Sequence, residues 1–195
     1  MSIFETLSHA TAEASADFLL TGDDWNGSTP DAMTPAAVLV PIVDRPEPGL
    51  LLTVRTAHLR HHAGQIAFPG GRAEPGETAE DAALREAGEE IGLSSNDARI
   101  VGTGDPYRTI TGFIVTPVIA VIAPGLALRP GDGEVEELFE VPLAFVTDPA
   151  QHRVKEVLWQ GRKRSYYEIF WHERRIWGAT AAIIVNLSRR IGRAG

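Results

Sequence analysis

The sequence predicts a mixed α/β fold (equally describable as α+β), with strands and helices interspersed rather than strictly alternating. Three observations carry this. Ala36–Val43 is a continuous apolar run of the kind found in strands buried on both faces, and Phe113–Ile122 reads as another strand. Ala79–Ile91 is rich in strong helix formers, with Gly88 its only weak position. Trp177–Ile191 has recurring apolar positions and carries Arg189 and Arg190 in its last turn, where cations complement the helix dipole.

Taken in order, residues 1–35 are expected to form an extension, a helix and a loop, packing on a domain at 36–195. Phe4–Leu20 predicts a helix with Leu7, Ala10 and Ala14 on one side. Thr21–Thr34, rich in Gly, Asp, Asn, Ser and Pro, reads as a loop. After the strand Ala36–Val43, Arg45–Gly49 turns the chain with two prolines. Leu51–Arg55 is the next strand, and Ile66–Phe68 a short extended piece entering a glycine loop. Beyond the acidic helix, Ala98–Gly104 and Phe113–Ile122 read as strands. Gly131–Glu137 reads as an acidic loop and Val141–Val146 as a helical turn. Glu156–Leu158 and Ser165–Trp171 form a hairpin around Gln160-Gly161-Arg162. The chain has no internal repeat.

A length of 195 residues suits one domain with a good core. With no cysteine, disulfides, thiolate metal sites and cysteine nucleophiles are excluded. The longest apolar stretch, Phe113–Ala123, is too short to span a bilayer and contains Pro117. No basic region followed by an apolar run opens the chain, so a cytoplasmic protein without membrane attachment is expected. Net charge is −8, from 18 Lys and Arg against 26 Asp and Glu, which argues against a nucleic-acid binder. Residues 1–150 hold 8 basic and 23 acidic side chains, whereas residues 151–195 hold 10 and 3. The favoured reading is that the basic end covers or pairs with the acidic body; the other is a basic surface for an anionic substrate.

The helix Ala79–Ile91 organises the rest. Thr78 can cap its start, with Asp81 three residues on, and Gly92 fits the left-handed position past its end. Glu86, Glu89 and Glu90 share one face, beside an apolar stripe of Ala83, Ala87 and Ile91. The carboxylates repel one another, and Arg85 is expected on a different side. Two readings stay open: a solvated acidic face, or an oxygen-only site for Mg²⁺ or Mn²⁺.

The stretch Gly71–Leu93 resembles the signature of the Nudix hydrolases: G, five residues, E, seven residues, R-E-U-x-E-E-x-G-U. The matching residues are Gly71, Glu77, Arg85, Glu86, Ala87, Glu89, Glu90, Gly92 and Leu93, with Ala87 small for its position. The resemblance implies a mixed sheet sandwiched between helices. Glu86, Glu89 and Glu90 would be catalytic metal-binding carboxylates, the Gly70 carbonyl an additional ligand, and Glu77 and Arg85 a supporting ion pair. A catalytic glutamate from a later loop would be Glu134, Glu136 or Glu137, with Glu134 expected.

Just upstream, Leu51–Gly71 resembles the additional motif of the coenzyme A pyrophosphatase branch, L-L-T-x-R-[S/A]-x3-R-x3-G-x3-F-P-G-G. Leu51, Leu52, Thr53, Arg55, Arg60, Gly64, Phe68, Pro69, Gly70 and Gly71 match, and Thr56 replaces the Ser or Ala. Tyr107-x-Thr109-x-Thr111-Gly112-Phe113 and the stretch Glu134–Leu143 also look like that branch. The implied substrate is coenzyme A or a related nucleotide, with Mg²⁺ or Mn²⁺ as cofactor, Arg55, Arg60 and Phe68 in substrate binding, and a homodimer admitted. Guanidinium forks suit phosphate oxygens. His58, His61 and His62 could add donors, although the oxygen ligands make histidine unnecessary at the metal. The alternatives are a Nudix hydrolase of another nucleoside diphosphate derivative, such as ADP-ribose, and a Nudix-derived binding module without turnover.

Overall fold

The computed structural model describes residues 2–12, 20–21, 33–58, 63–109, 111–131, 133–159 and 162–194. Arg60, His61 and His62 lie outside the described residues, as do Ala14 and the hairpin turn at 160–161. In chain order the elements are α1 (Ile3–Ala12), β1 (Leu20–Thr21), β2 (Thr34–Val43), β3 (Gly49–Arg55), β4 (Ile66–Ala67), β5 (Gly70–Arg72), α2 (Ala79–Ile91), β6 (Ala98–Thr103), β7 (Tyr107–Arg108), β8 (Phe113–Ile122), β9 (Val135–Pro142), α3 (Leu143–Val146), β10 (Arg153–Trp159), β11 (Arg162–Trp171), β12 (Arg174–Trp177) and α4 (Ala179–Ala194).

The long apolar runs β2 and β8 lie side by side, parallel, at the centre of a mixed sheet. Their side chains alternate between two cores, as the two-residue period requires. Ala37, Leu39, Val118, Ala120 and Ile122 face α2, which buries Ala82, Ala83, Ala87 and Ile91 against them. Val40, Ile42, Ile119 and Val121 face the other way, towards Leu7 of α1 and Ile183, Ile184 and Leu187 of α4. The sheet is thus sandwiched between helices, and small alanines let α2 lie close to it. A second sheet, β10-β11-β12, is fully antiparallel.

Several expectations are corrected. Leu20, expected at the end of a long first helix, begins β1, paired with Tyr107; the described helix ends at Ala12. Residues 135–137, expected in a loop, begin β9, which pairs with β3 and keeps Val135 and Val141 buried while Glu136, Glu137 and Glu140 are exposed. Helix α3 therefore starts at Leu143 rather than Val141. Trp177 ends β12 instead of opening the last helix, and Gly178, at φ 64°, makes the change of direction. Two arginines of the basic C-terminal segment pair with acidic residues of the body. Arg174 is bidentate to Glu137 at 2.7 and 3.0 Å, and the buried Arg190 binds Asp105.

Candidate active site

The site is built on α2. Thr78 Oγ1 accepts from the Asp81 N–H at 3.1 Å, and Asp81 returns the bond in a capping box. Gly92 closes the helix at φ 68°. With the alanine stripe buried, the neighbouring face turns Glu86 and Glu90 towards the loop ahead of the helix.

Two glycines let that loop approach. Gly70 has φ 156°, and a Cβ there would lie 2.4 Å from the Ala37 carbonyl oxygen. A Cβ on Gly71 would lie 2.5 Å from Glu86 Oε1, so the absent side chain leaves the space in which the Glu86 carboxylate sits. The Gly70 N–H donates to Glu90 Oε2 at 3.0 Å. Glu90 is only 7% exposed, and its carboxyl is pushed up to about 7. Burial is the main cause; the Gly70 N–H and Arg55 oppose it, while Glu86 and Glu134 add to it.

Arg55, at the end of β3, stands 3.5 Å from Glu90 Oε1 through Nη1 and donates from Nη2 to Glu134 Oε2 at 2.9 Å. A bulge after Val54 opposes Arg55 to Val135, which brings Glu134 alongside. The Arg55 Nε is buried and meets no acceptor among the described residues. Arg85 donates to Glu77 at 2.8 and 3.1 Å, to Glu86 at 2.9 Å and to the Arg72 carbonyl at 3.0 Å, and lies 3.4 Å from Glu89. This corrects the expectation that Arg85 points away: its long side chain reaches back across the first turns to gather the carboxylates. The Arg85 guanidinium beside Glu77 holds that carboxyl below its usual range.

A cleft of about 760 Å³ joins Arg55, Gly70, Gly71, Glu86 and Glu134. Phe68, 4% exposed, lies in the cleft's floor and in the core beneath it. Glu89 is exposed and Glu90 is buried, and of the three only Glu86 lines the cleft. Of the three later-loop glutamates, Glu134 lines the cleft, Glu136 is exposed and Glu137 is held by Arg174. His58 is exposed. Sequence reasoning missed Val157, Tyr166 and Trp177, which also line the cleft. A tyrosine and a tryptophan on successive strands gave no local signal, because β12 is too short to be read without its partner.

No three described carboxylate or imidazole side chains converge as a formed metal site. The donor set nevertheless suits a hard cation: it is oxygen-only, Gly71 keeps room at Glu86, and the oxygens of Glu86 and Glu90 already lie against cationic guanidinium groups.

Residues 33–165 match the NUDIX domain family. The Uncharacterized Nudix hydrolase NudL of Escherichia coli O6:H1 is 42% identical over 158 residues, covering 80% of this chain and 82% of that protein. The NudL of Escherichia coli K12 aligns to the same extent. Among solved structures, a Nudix hydrolase from M. smegmatis, RenU, superposes with a TM-score of 0.52 at 30% identity, covering 68% of this chain and 83% of that one. A MutT/nudix family protein from Enterococcus faecalis shares the fold, with a TM-score of 0.56 at 19% identity over 85% of this chain and 64% of that one. The acidic helix, the glycine loop that meets it and these extended matches agree: the chain belongs to the Nudix family.

Proposed function

We propose that this protein is a metal-dependent hydrolase of the diphosphate bond in coenzyme A or a derivative, releasing 4′-phosphopantetheine and adenosine 3′,5′-bisphosphate. Family membership supports diphosphate hydrolysis. The order of residues in Leu51–Gly71 supports coenzyme A. The observation that carries the reading is the bridge made by Arg55. This residue of the upstream segment contacts Glu90 of the acidic helix and Glu134 of the later loop, and both Arg55 and Glu134 line the cleft.

Glu86, Glu89, Glu90 and the Gly70 carbonyl would hold Mg²⁺ or Mn²⁺, which when bound neutralises the diphosphate and acidifies water. The chain's own residues supply position and proton transfer. Glu134, exposed at the cleft, would take the proton of the attacking water. Arg55 would exchange its carboxylate partners for phosphate oxygens, with Nε a third available donor. The Glu77–Arg85 pair keeps Glu86 turned to the cleft. Catalysis then rests on orientation and charge, with no covalent intermediate. The setting is cytoplasmic and the substrate a small molecule.

The test is a panel of coenzyme A, 3′-dephospho-coenzyme A, ADP-ribose and a dinucleoside polyphosphate with Mg²⁺ and Mn²⁺, resolving products by chromatography. Coenzyme A should give the highest kcat/KM. Equal or better turnover of ADP-ribose would defeat the assignment, and absence of turnover on all four would favour a binding module.

A further inference from the structure

Two kinds of group line the cleft. Glu86 and Glu134 bring negative charge to it, whereas the three-stranded sheet contributes Val157, Tyr166 and Trp177. Register places those three on one face of the sheet. Tyr166 pairs with Lys155, two residues from Val157, and Trp177 pairs with Glu168, two residues from Tyr166. The same alternation adds Lys155, Arg153 and Arg175 to that face, with Glu168 as its acidic member among the described residues.

The cations gather around Tyr166. Lys155 is its cross-strand partner, so the two side chains start about 5 Å apart. Arg175 Nη2 donates to Tyr166 Oη at 2.9 Å, and the guanidinium lies 5.8 Å from the Tyr166 ring centre and 5.0 Å from that of Trp177. The buried Glu168 pairs with Arg175 and offsets its charge, yet the Arg175 side chain stays 39% exposed. Lys155 is exposed and pairs with no acidic side chain among the described residues. The face therefore carries uncompensated positive charge beside a tyrosine that lines the cleft. Its complement is an anion.

We infer that this face of the three-stranded sheet receives the 3′-phosphate of the substrate's nucleoside arm, with Lys155 as the specificity-determining side chain and Arg175 adding to the positive potential. The inference rests on the coenzyme A reading above. Charge decides which arm lies here. With the diphosphate at Arg55 and Glu86, the pantetheine arm is neutral and the nucleoside arm carries a separate phosphomonoester, close to dianionic at neutral pH. ADP-ribose and dinucleoside polyphosphates have no such group, so the same contact would also discriminate against them. Lysine suits the task as a mobile point charge with three donors.

The experiment uses the full chain and two pairs of ligands. Coenzyme A and 3′-dephospho-coenzyme A are compared in kcat/KM with Mg²⁺. Adenosine 3′,5′-bisphosphate and adenosine 5′-monophosphate are compared in Kd by calorimetry without metal. The wild type should favour the 3′-phosphorylated member of each pair by about ten- to a hundredfold. Lys155→Ala should reduce that preference about fivefold or more, through KM and on the phosphorylated member alone. Lys155→Arg should keep most of it, and Lys155→Glu should abolish it. Raising the salt from about 50 to about 500 mM should narrow the wild-type preference, because an exposed charge pair is screened. Lys155 is exposed, so thermal melts of the variants should match the wild type. A wild type indifferent to the 3′-phosphate in both pairs overturns the inference while leaving coenzyme A hydrolysis standing. So does a Lys155→Ala variant that keeps the full preference, or one that loses the same factor on both members. Turnover of neither coenzyme A nor its dephospho form removes the parent reading, and the inference falls with it.

Discussion

The backbone N–H of Gly70 donates to Glu90 Oε2 at 3.0 Å, tying the last carboxylate of the helix to a loop twenty residues earlier. The bond stabilises the ionised carboxylate, yet burial dominates and the group remains pushed up to about 7. Glu90 therefore binds its proton more tightly in the folded chain than in the unfolded one. That contribution is fully present below the unfolded value of about 4.5 and is lost as pH rises through about 7. Metal-free protein should lose stability across that window, by up to about 1.4 kcal/mol per pH unit. Glu90→Gln should abolish this slope and melt at an equal or higher temperature at pH 8 without metal. An unchanged slope would mean that Glu90 is not the group titrating.

Catalysis should respond in the opposite direction. Glu90→Gln keeps the shape but removes the charge that would hold the cation. Turnover at saturating Mg²⁺ should be nearly abolished, with far-ultraviolet circular dichroism unchanged. A near wild-type kcat would exclude Glu90 as a ligand.

Two adjacent glycines should separate fold from function. Gly71→Ala would bring a methyl to 2.5 Å from Glu86 Oε1, the end of a flexible side chain. The carboxylate can swing away, so Tm should stay within a few degrees while turnover falls at least tenfold. Gly70→Ala meets backbone instead, 2.4 Å from the Ala37 carbonyl, and at φ 156°. It should lower Tm by roughly 5 °C or more. Equal effects of the two substitutions on Tm would contradict this division.

Arg85 gathers Glu77, Glu86, Glu89 and the Arg72 carbonyl through one planar fork. Arg85→Lys keeps the charge but loses the fork. Tm should fall by roughly 3–8 °C, with kcat reduced because Glu86 is no longer held. Glu77→Gln should show a smaller loss, confined to pH above the depressed Glu77 titration and absent once that carboxyl is protonated. Differential scanning calorimetry across pH checks both.

What was legible in the sequence is what is local. Thr78, Asp81 and Gly92 announce the limits of α2 within fifteen residues, and its period places Glu86, Glu89 and Glu90 on one face. β2 and β8 were legible as apolar runs because they are buried on both faces. The short strands were not: β5 and β7 exist because β2 and β8 offer them edges. The first residues of β9 looked like a loop because Glu136 and Glu137 are exposed, and the partner that holds Glu137, Arg174, lies 37 residues away. The Arg55 bridge depends on sheet order and a bulge, neither of which has a signature in the neighbouring residues.

The two glutamates of β9 and the turn before it should differ in kind. Glu134 lines the cleft and pairs with Arg55 at 2.9 Å, whereas Glu137 is bidentate to Arg174. If Glu134 accepts the proton of the attacking water, Glu134→Gln should lower kcat by about 10²- to 10⁴-fold with KM little changed. Glu137→Gln removes one partner of a largely exposed ion pair, so it should leave kcat within about twofold and cost at most a few degrees of Tm. Steady-state kinetics of both variants from pH 5 to 9 decide the matter. A Glu134→Gln enzyme that keeps wild-type kcat would reduce Glu134 to a tether for Arg55. A loss of kcat in Glu137→Gln at unchanged Tm would move the base to the other glutamate.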